Sequence, residues 1–256
     1  MDQRTDAELA RRLAAEAGAL LLQLREKPSW SDADLTERKR AGDSASQRLL
    51  AAELAAGCSG DVVLSEEAAD DQSRLAADRV WIIDPLDGTR EFAEGRSDWA
   101  VHVALWREGE LAAGAVALPG LATTLSTAEP PQRPVPAPGP VRIAVSRSRA
   151  PAVATRVATR LAAELVPMGS AGYKVAAVVR GEVDAYVHAG GQYEWDSAAP
   201  VAVARACGLH TSRLDGSALR YNQPEPHLPD LVVCRPVFAD ALLAAISENV
   251  VQGTVR

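Results

Sequence analysis

The chain has 256 residues, enough to bury a sizeable core as one large domain or two intimate ones, and its 47% hydrophobic and 24% charged residues are ordinary for a globular protein. A formal net charge of −7 at pH 7 excludes a general nucleic-acid surface, because phosphate backbones demand basic faces; it does not exclude a small phosphorylated ligand held through cations. No segment approaches a membrane span and the first residues carry no apolar signal region, so the expectation is a cytoplasmic protein that binds neither nucleic acid polymers nor membranes. Cys58, Cys207 and Cys234 are odd in number and far apart, which fits reduced thiols and not a disulfide or zinc framework.

Thr5-Asp6-Ala7-Glu8 reads as a capping box for a first helix, along which Leu9, Leu13, Ala17, Leu20, Leu21 and Leu24 recur at helical spacing until Pro28 ends it. Residues 31–42 are charged and poor in apolar positions, which predicts a mobile loop. Asp43 then stands where it would cap a second helix with Ala45, Leu49, Leu50 and Leu54 on its apolar side. Residues 62–65 form a short apolar run that ends in Glu66-Glu67.

Residues 80–83 form another such run, a buried strand that stops abruptly at Asp84-Pro85-Leu86-Asp87-Gly88-Thr89. Proline fixes one backbone angle and glycine permits a tight turn, so both carboxylates are held at the strand's C-terminal end. Gly88-Thr89 can open a helix whose free N–H groups meet an anion. Carboxylates beside such a helix start make chemical sense when divalent cations sit between protein and phosphate.

Strand-like runs follow at 99–106, 111–118 and 123–127, with Glu108-Gly109-Glu110 as a hairpin connection between the first two. His102, in an alternating run, reads as a strand-face histidine and not as a metal ligand. The proline-rich stretch 130–140 can form neither a central strand nor a helix and predicts a stiff exposed connector. It divides the chain into an N-terminal α+β part, 1–129, and a C-terminal α/β part, 141–256. Within the latter the pattern predicts a strand at 141–145, helices at 151–166 and 170–179, a strand at 183–188 and a helix at 196–207; segments 231–234 and 237–247 close it. Asp196 immediately precedes an alanine-rich apolar stretch, the place of a helix cap.

The acidic pair after a strand, the Asp84-Pro85-Leu86-Asp87-Gly88-Thr89 turn and the late Trp195-Asp196 before a helix occur in one order. Together they resemble the lithium-sensitive, magnesium-dependent phosphomonoesterases, the superfamily of inositol monophosphatase and fructose-1,6-bisphosphatase. That resemblance implies an α/β (α+β) fold, a layered α-β-α-β-α sandwich of the sugar phosphatase type, with its site where the two halves meet. Arg90-Glu91-Phe92, Val145-Ser146-Arg147-Ser148, Gly169-Ser170 with Lys174, Glu194-Trp195-Asp196-Ser197-Ala198-Ala199 and Tyr221-Asn222 are similar to the branch that removes the 3′-phosphate of 3′-phosphoadenosine 5′-phosphate (PAP). Inositol monophosphatases typically carry Thr-Asn-Phe where Arg90-Glu91-Phe92 stands.

The resemblance implies two or three Mg2+ ions and inhibition by Li+. Glu66, Asp84 and the Leu86 carbonyl would hold one ion; Asp84, Asp87 and Asp196 a second; a weaker third would sit near Glu66. Asp43 and Thr89, with Glu66, would activate the attacking water. Leu86, Asp87, Gly88, Thr89 and Asp196 would border the scissile phosphate, and Ser146, Arg147, Ser148, Ser170, Tyr173 and Lys174 are candidates for the ribose, the base and the second phosphate. Lys39-Arg40-Ala41-Gly42 departs from the family's Pro-Val-Thr-x-Ala, which leaves the third ion open. The implied reaction converts PAP to AMP and phosphate in sulfate assimilation, with PAPS to APS beside it. Inositol 1-phosphate and fructose 1,6-bisphosphate are the alternative substrates. A catalytically silent binding protein is the contrasting class, and retention of Glu66, Asp84, Asp87, Thr89 and Asp196 speaks against it. The expected partner is a small phosphorylated substrate, with a homodimer left open.

Overall fold

Two five-stranded sheets alternate with three layers of helices in the computed structural model, which describes residues 3–132, 135, 138–148 and 150–253. The first sheet contains β1 (Val62–Ser65), β2 (Arg79–Asp87), β3 (Ala100–Arg107), β4 (Glu110–Leu118) and β5 (Thr123–Ser126) in sequence order; β1 and β2 are parallel and the rest antiparallel. The second sheet runs β7 (Glu164–Met168), β6 (Arg142–Ser146), β8 (Ala185–Tyr193), β10 (His227–Cys234), β9 (His210–Ser212).

Helices α1 (Gln3–Arg25) and α3 (Leu35–Gly57) cover the outer face of the first sheet through Leu13, Leu21, Leu50 and Leu54. Between the sheets lie α6 (Ala171–Arg180) and α7 (Glu194–Ala206), whose apolar residues pack on Val80, Ile82 and Ala104 on one side and Leu231 and Val233 on the other. A layer apolar on both sides reads as a continuous hydrophobic run, as 175–179 does. Helices α5 (Ala152–Leu161) and α8 (Pro236–Gly253) close the far side of the second sheet. The order is therefore the expected α-β-α-β-α sandwich. Among the described residues no helix is long and apolar enough to cross a membrane.

Several local expectations are corrected. Residues 5–8 lie inside α1, which already runs at Gln3; Asp6 is fully buried and accepts two bonds from Arg79 at 2.9 and 3.0 Å, so it is an ion-pair partner and not a capping-box residue. Residues 31–42 are not a loop. They form the end of α2 (Pro28–Asp32) and the first turns of α3, which is capped by Asp34 accepting the Glu37 N–H at 2.7 Å. Asp43 consequently sits in mid-helix and caps nothing. The charged segment is held by side-chain contacts that local pattern does not reveal: Arg38 bonds the nearby carbonyls of Ser31 and Ala33 and the distant one of Ala93, and lies over the Trp30 ring.

The helix expected to reach 166 ends at Leu161, where Ala162 turns left-handed with φ 49°; residues 164–168 form the edge strand β7 instead. Leu and Val suit either period, and the parallel pairing with β6 decides. β8 extends well past 188, β10 begins at His227, and β9 is an addition. Of the proline-rich stretch, residues 133, 134, 136 and 137 lie outside the described residues, and the others take neither helix nor strand.

Candidate active site

Parallel pairing of β1 with β2 aligns Ser65 with Ile83, so Glu66, just past the end of β1, comes level with Asp84, which is still in β2 and pairs with His102. There the β2–β3 register breaks between Asp84 and Asp87. A bulge re-aims side chains: the Asp84 carboxylate accepts the Leu86 N–H at 3.0 Å, and Ser46 Oγ holds the Pro85 carbonyl at 2.6 Å. Gly88 then takes φ 90°, a conformation that disfavours any Cβ, and starts α4 (Thr89–Ala93). A Cβ there would also lie 2.8 Å from that of Ser170, so the turn and the start of α6 approach closely.

Asp87 is buried and clamped: Ala171 N–H and Gly172 N–H donate to its two oxygens at 3.1 and 2.6 Å, and His102 Nε2 lies 3.2 Å away. Asp196, in the first turn of α7, accepts the Tyr193 N–H at 2.7 Å. Through these independent anchors Asp84, Asp87 and Asp196 each place an oxygen within 4.8 Å of the others. Glu66 adjoins this triad closely enough for its carboxyl and that of Asp84 to act on one another. Thr89 Oγ1 stands 3.2 Å from Asp43 Oδ1 and 3.1 Å from the Leu86 carbonyl.

So many carboxylates in one cleft cannot all ionise cheaply. Burial, then the charge of Asp196, pushes Glu66 up to about 7 although much of its side chain meets solvent. Burial and Asp87 push Asp196 up to about 6, and burial with the charges of Glu66 and Asp87 holds Asp84 well above the usual range. Asp87 is the exception: burial would raise it, but His102, Lys174 and the Gly172 N–H bring it below the ordinary value. Asp43 rises to about 6 through burial and Glu67, against the Thr89 hydrogen bond and the charge of Lys39. A cluster of hard oxygen donors that repel one another fits a divalent hard cation, which would favour the ionised form of each.

The remaining expected residues gather on the α4–α6 side. Ser170 caps α6 by accepting the Tyr173 N–H at 3.2 Å, and Ser146 and Ser148 place their hydroxyls 3.3 Å apart. Tyr173 lies under the Arg180 guanidinium. Arg147 pairs with Glu91 at 2.9 Å and Glu94 at 2.8 Å; Lys174 is buried, with its ammonium on the carbonyls of Gly169 and Ser170. Tyr221 and Asn222 meet the start of α7: Tyr221 and Ser197 share a hydrogen bond at 3.1 Å, and Asn222 N–H donates to Glu194 at 2.6 Å.

The sequence profile of the Inositol monophosphatase family matches residues 2–135 and 136–252. The chain belongs to the inositol monophosphatase family. It is 54% identical over 242 residues to a 3′-phosphoadenosine 5′-phosphate phosphatase of Mycobacterium tuberculosis, covering 91% of this chain and 90% of that one. The Mycobacterium leprae protein of the same name is 50% identical over 257 residues, covering 95% and 94%. Among solved structures, the bacterial family member CysQ from Bacteroides thetaiotaomicron superposes with a TM-score of 0.79 at 25% identity, covering 91% of this chain and 97% of that one. The inositol monophosphatase family is metal-dependent, and the aspartate triad could hold a metal ion.

Two supports of this family site carry no local sequence signal. His102 sits on β3, fully buried, with Nδ1 3.0 Å from the Trp195 carbonyl and Nε2 on Asp87; burial opposes its charge, but Asp87 wins and its proton affinity is raised. It orients a carboxylate and is no member of the triad. His102→Ala should weaken divalent-cation affinity about 10–100-fold, as outer-shell losses do; calorimetric titration with unchanged affinity would contradict that.

Gly42 is the other. A Cβ there would meet Phe92 Cε1 at 2.5 Å and Leu86 Cδ2 at 2.8 Å, so its bare backbone lets α3 press Asp43 against the turn. Gly-to-Ala in a helix interior ordinarily stabilises by roughly 1 kcal/mol, whereas overpacking costs typically ~1–3 kcal/mol. The clash is against a buried ring pinned between Trp30 and Trp99 and should win. Gly42→Ala is expected to lower the melting temperature and the turnover together; a stabilised, fully active variant would refute the packing argument.

Proposed function

We propose that this chain is a magnesium-dependent phosphomonoesterase that removes the 3′-phosphate of PAP, giving AMP and phosphate, and that acts likewise on PAPS. The observation that carries this reading is the convergence of Asp84, Asp87 and Asp196 beside Glu66 and the Asp43–Thr89 pair, in a chain that shares 54% identity with a PAP phosphatase. Glu66, Asp84 and the Leu86 carbonyl, with Asp87 and Asp196, would hold the ions. Bound magnesium neutralises phosphate oxygens, lowers the pKa of a water and stabilises the departing alkoxide.

The chain's own groups do the rest. Thr89 Oγ1, fixed between Asp43 Oδ1 and the Leu86 carbonyl, orients the nucleophilic water and passes its proton toward Asp43. Asp43, with a pKa of about 6, is largely ionised at neutral pH and suits that acceptor role. Gly88 and Thr89 present the N–H groups that open α4 to the phosphate, and Asp87, clamped by α6, keeps the turn from swinging away.

The test is phosphate release from PAP, inositol 1-phosphate and fructose 1,6-bisphosphate in parallel, with Mg2+ and with chelator. PAP should show the highest kcat/KM, activity should require the metal, and Li+ should inhibit at limiting Mg2+. Faster turnover of inositol 1-phosphate would overturn the substrate, and full activity in chelator would overturn the mechanism.

A further inference from the structure

Glu66 and Asp196 come to the cleft from opposite halves of the chain, the first just past β1 and the second in the first turn of α7. The charge of Asp196 acts on Glu66, so the two are neighbours there. A run of hydrogen bonds through buried polar groups joins the elements that carry them.

It begins at Arg74, in the short 3-10 turn Ser73–Ala76 that ends the loop leading from Glu66. The Arg74 guanidinium is fully buried; Nε and Nη2 hold the Asp70 carboxylate at 3.0 and 2.8 Å, and Nη1 donates to Asn222 Oδ1 at 2.8 Å. Asn222 Nδ2 returns a bond to the Arg74 carbonyl at 3.2 Å. The backbone N–H groups of Asn222 and Gln223 then grip the two oxygens of Glu194 at 2.6 and 2.8 Å, and the Glu194 N–H donates to the Pro226 carbonyl at 2.8 Å. Glu194 is 1% exposed and opens α7, two residues before Asp196. Asn222 serves both sides because it holds φ 58°, a left-handed conformation that asparagine adopts more readily than most residues.

Stability alone does not account for this arrangement. The desolvation of a buried ion pair can exceed its Coulombic gain, and apolar residues of similar volume often serve as well. A planar guanidinium fork does fix direction. The charge of Arg74 would by itself oppose a nearby cation, so what the side chain can contribute to a cation site is geometry.

We propose that Arg74 and Asn222 are positioning residues whose bridge fixes the separation of Glu66 from Asp196 and thereby sets the affinity of the acidic cluster for divalent cations. This rests on the reading of that cluster as the metal site.

The experiment titrates metal-free enzyme with Mg2+ by calorimetry, without substrate, in wild type, Asn222→Gly, Arg74→Lys and Ile246→Val. Glycine keeps the left-handed backbone and the N–H that grips Glu194, and deletes the link to Arg74. Lysine keeps the charge and loses the fork. Neither alters net charge, so a change in affinity reports geometry. Ile246 is buried in the outermost layer, and its truncation costs about as much stability as a lost hydrogen bond without touching the bridge. Affinity should fall about 10–100-fold in both bridge variants, the scale of losses beyond the ligands themselves, and hold its wild-type value in Ile246→Val. In assays of phosphate release the Mg2+ concentration for half-maximal rate should rise by the same factor in the bridge variants, with kcat recovering at saturating Mg2+. Wild-type affinity in both bridge variants, or an equal loss in Ile246→Val, would overturn the bridge alone. A wild-type enzyme that takes up no divalent cation would overturn the metal reading and the bridge together.

Discussion

Replacing Asp84 by asparagine is expected to lower phosphate release by about 10³-fold or more while raising the melting temperature of the metal-free protein above pH 7. The first effect follows from losing the carboxylate that stands between Glu66 and the Asp87–Asp196 pair. Metal ions contribute several kcal/mol of transition-state charge stabilisation, and ~4 kcal/mol is about three decades in rate. The second effect follows from what asparagine keeps and removes. Its side-chain oxygen can still accept the Leu86 N–H, so the bulge retains its bond. What disappears is a buried charge that faces three others of the same sign. Turnover in the purified variant and thermal melts in chelator at about pH 8 check both arms. Undiminished turnover, or a metal-free variant that melts lower than wild type, would show that Asp84 is a structural residue and not a ligand.

The turn around Asp84 was legible because its determinants are local. Pro85 and Gly88 spell a strand end and a tight bend, and the carboxylates are three apart in one stretch. The layered fold was legible by resemblance, and its central layer shows in the unbroken apolar run of α6. The first turns of α3 were not, since they lack an apolar stripe and are stabilised by Gly42 against Phe92 and Arg38 on the Ala93 carbonyl, contacts between residues far apart in sequence. The same holds for His102: alternation placed it correctly on a strand, but nothing local tells that Gly172, seventy residues later, leaves the space its ring fills beside Asp87. Arg147 shows the converse. Its segment resembles the nucleotide branch, yet Glu91 and Glu94 reach it only once β6 and α4 are adjacent.

The stability of the protein should also fall as pH rises, and magnesium should offset part of that fall. In chelator, Glu66 titrates at about 7 against an ordinary 4.5, and Asp43 and Asp196 at about 6 against 3.8. A carboxyl whose folded pKa is raised contributes stability that is complete below its ordinary pKa and is lost as pH climbs through the folded one. The loss therefore falls between about pH 4 and 7, and His102, whose proton affinity is raised from 6.5, adds to it above that value. Asp70, Asp98 and Asp230 are depressed, so their contributions vanish only below about pH 4 and leave the window clear. The chelated protein should thus melt progressively lower from about pH 5 to 8. A divalent cation needs the same carboxylates deprotonated, so its affinity rises over that range. At a concentration of ~100 Kd it would add ~2.7 kcal/mol, roughly 5–10 °C for a chain of this size. The two melting curves should meet near pH 5 and separate by that amount near pH 8. Parallel curves would mean that the acidic cluster holds no cation; curves that separate at low pH instead would place the binding groups outside Glu66, Asp84 and Asp196.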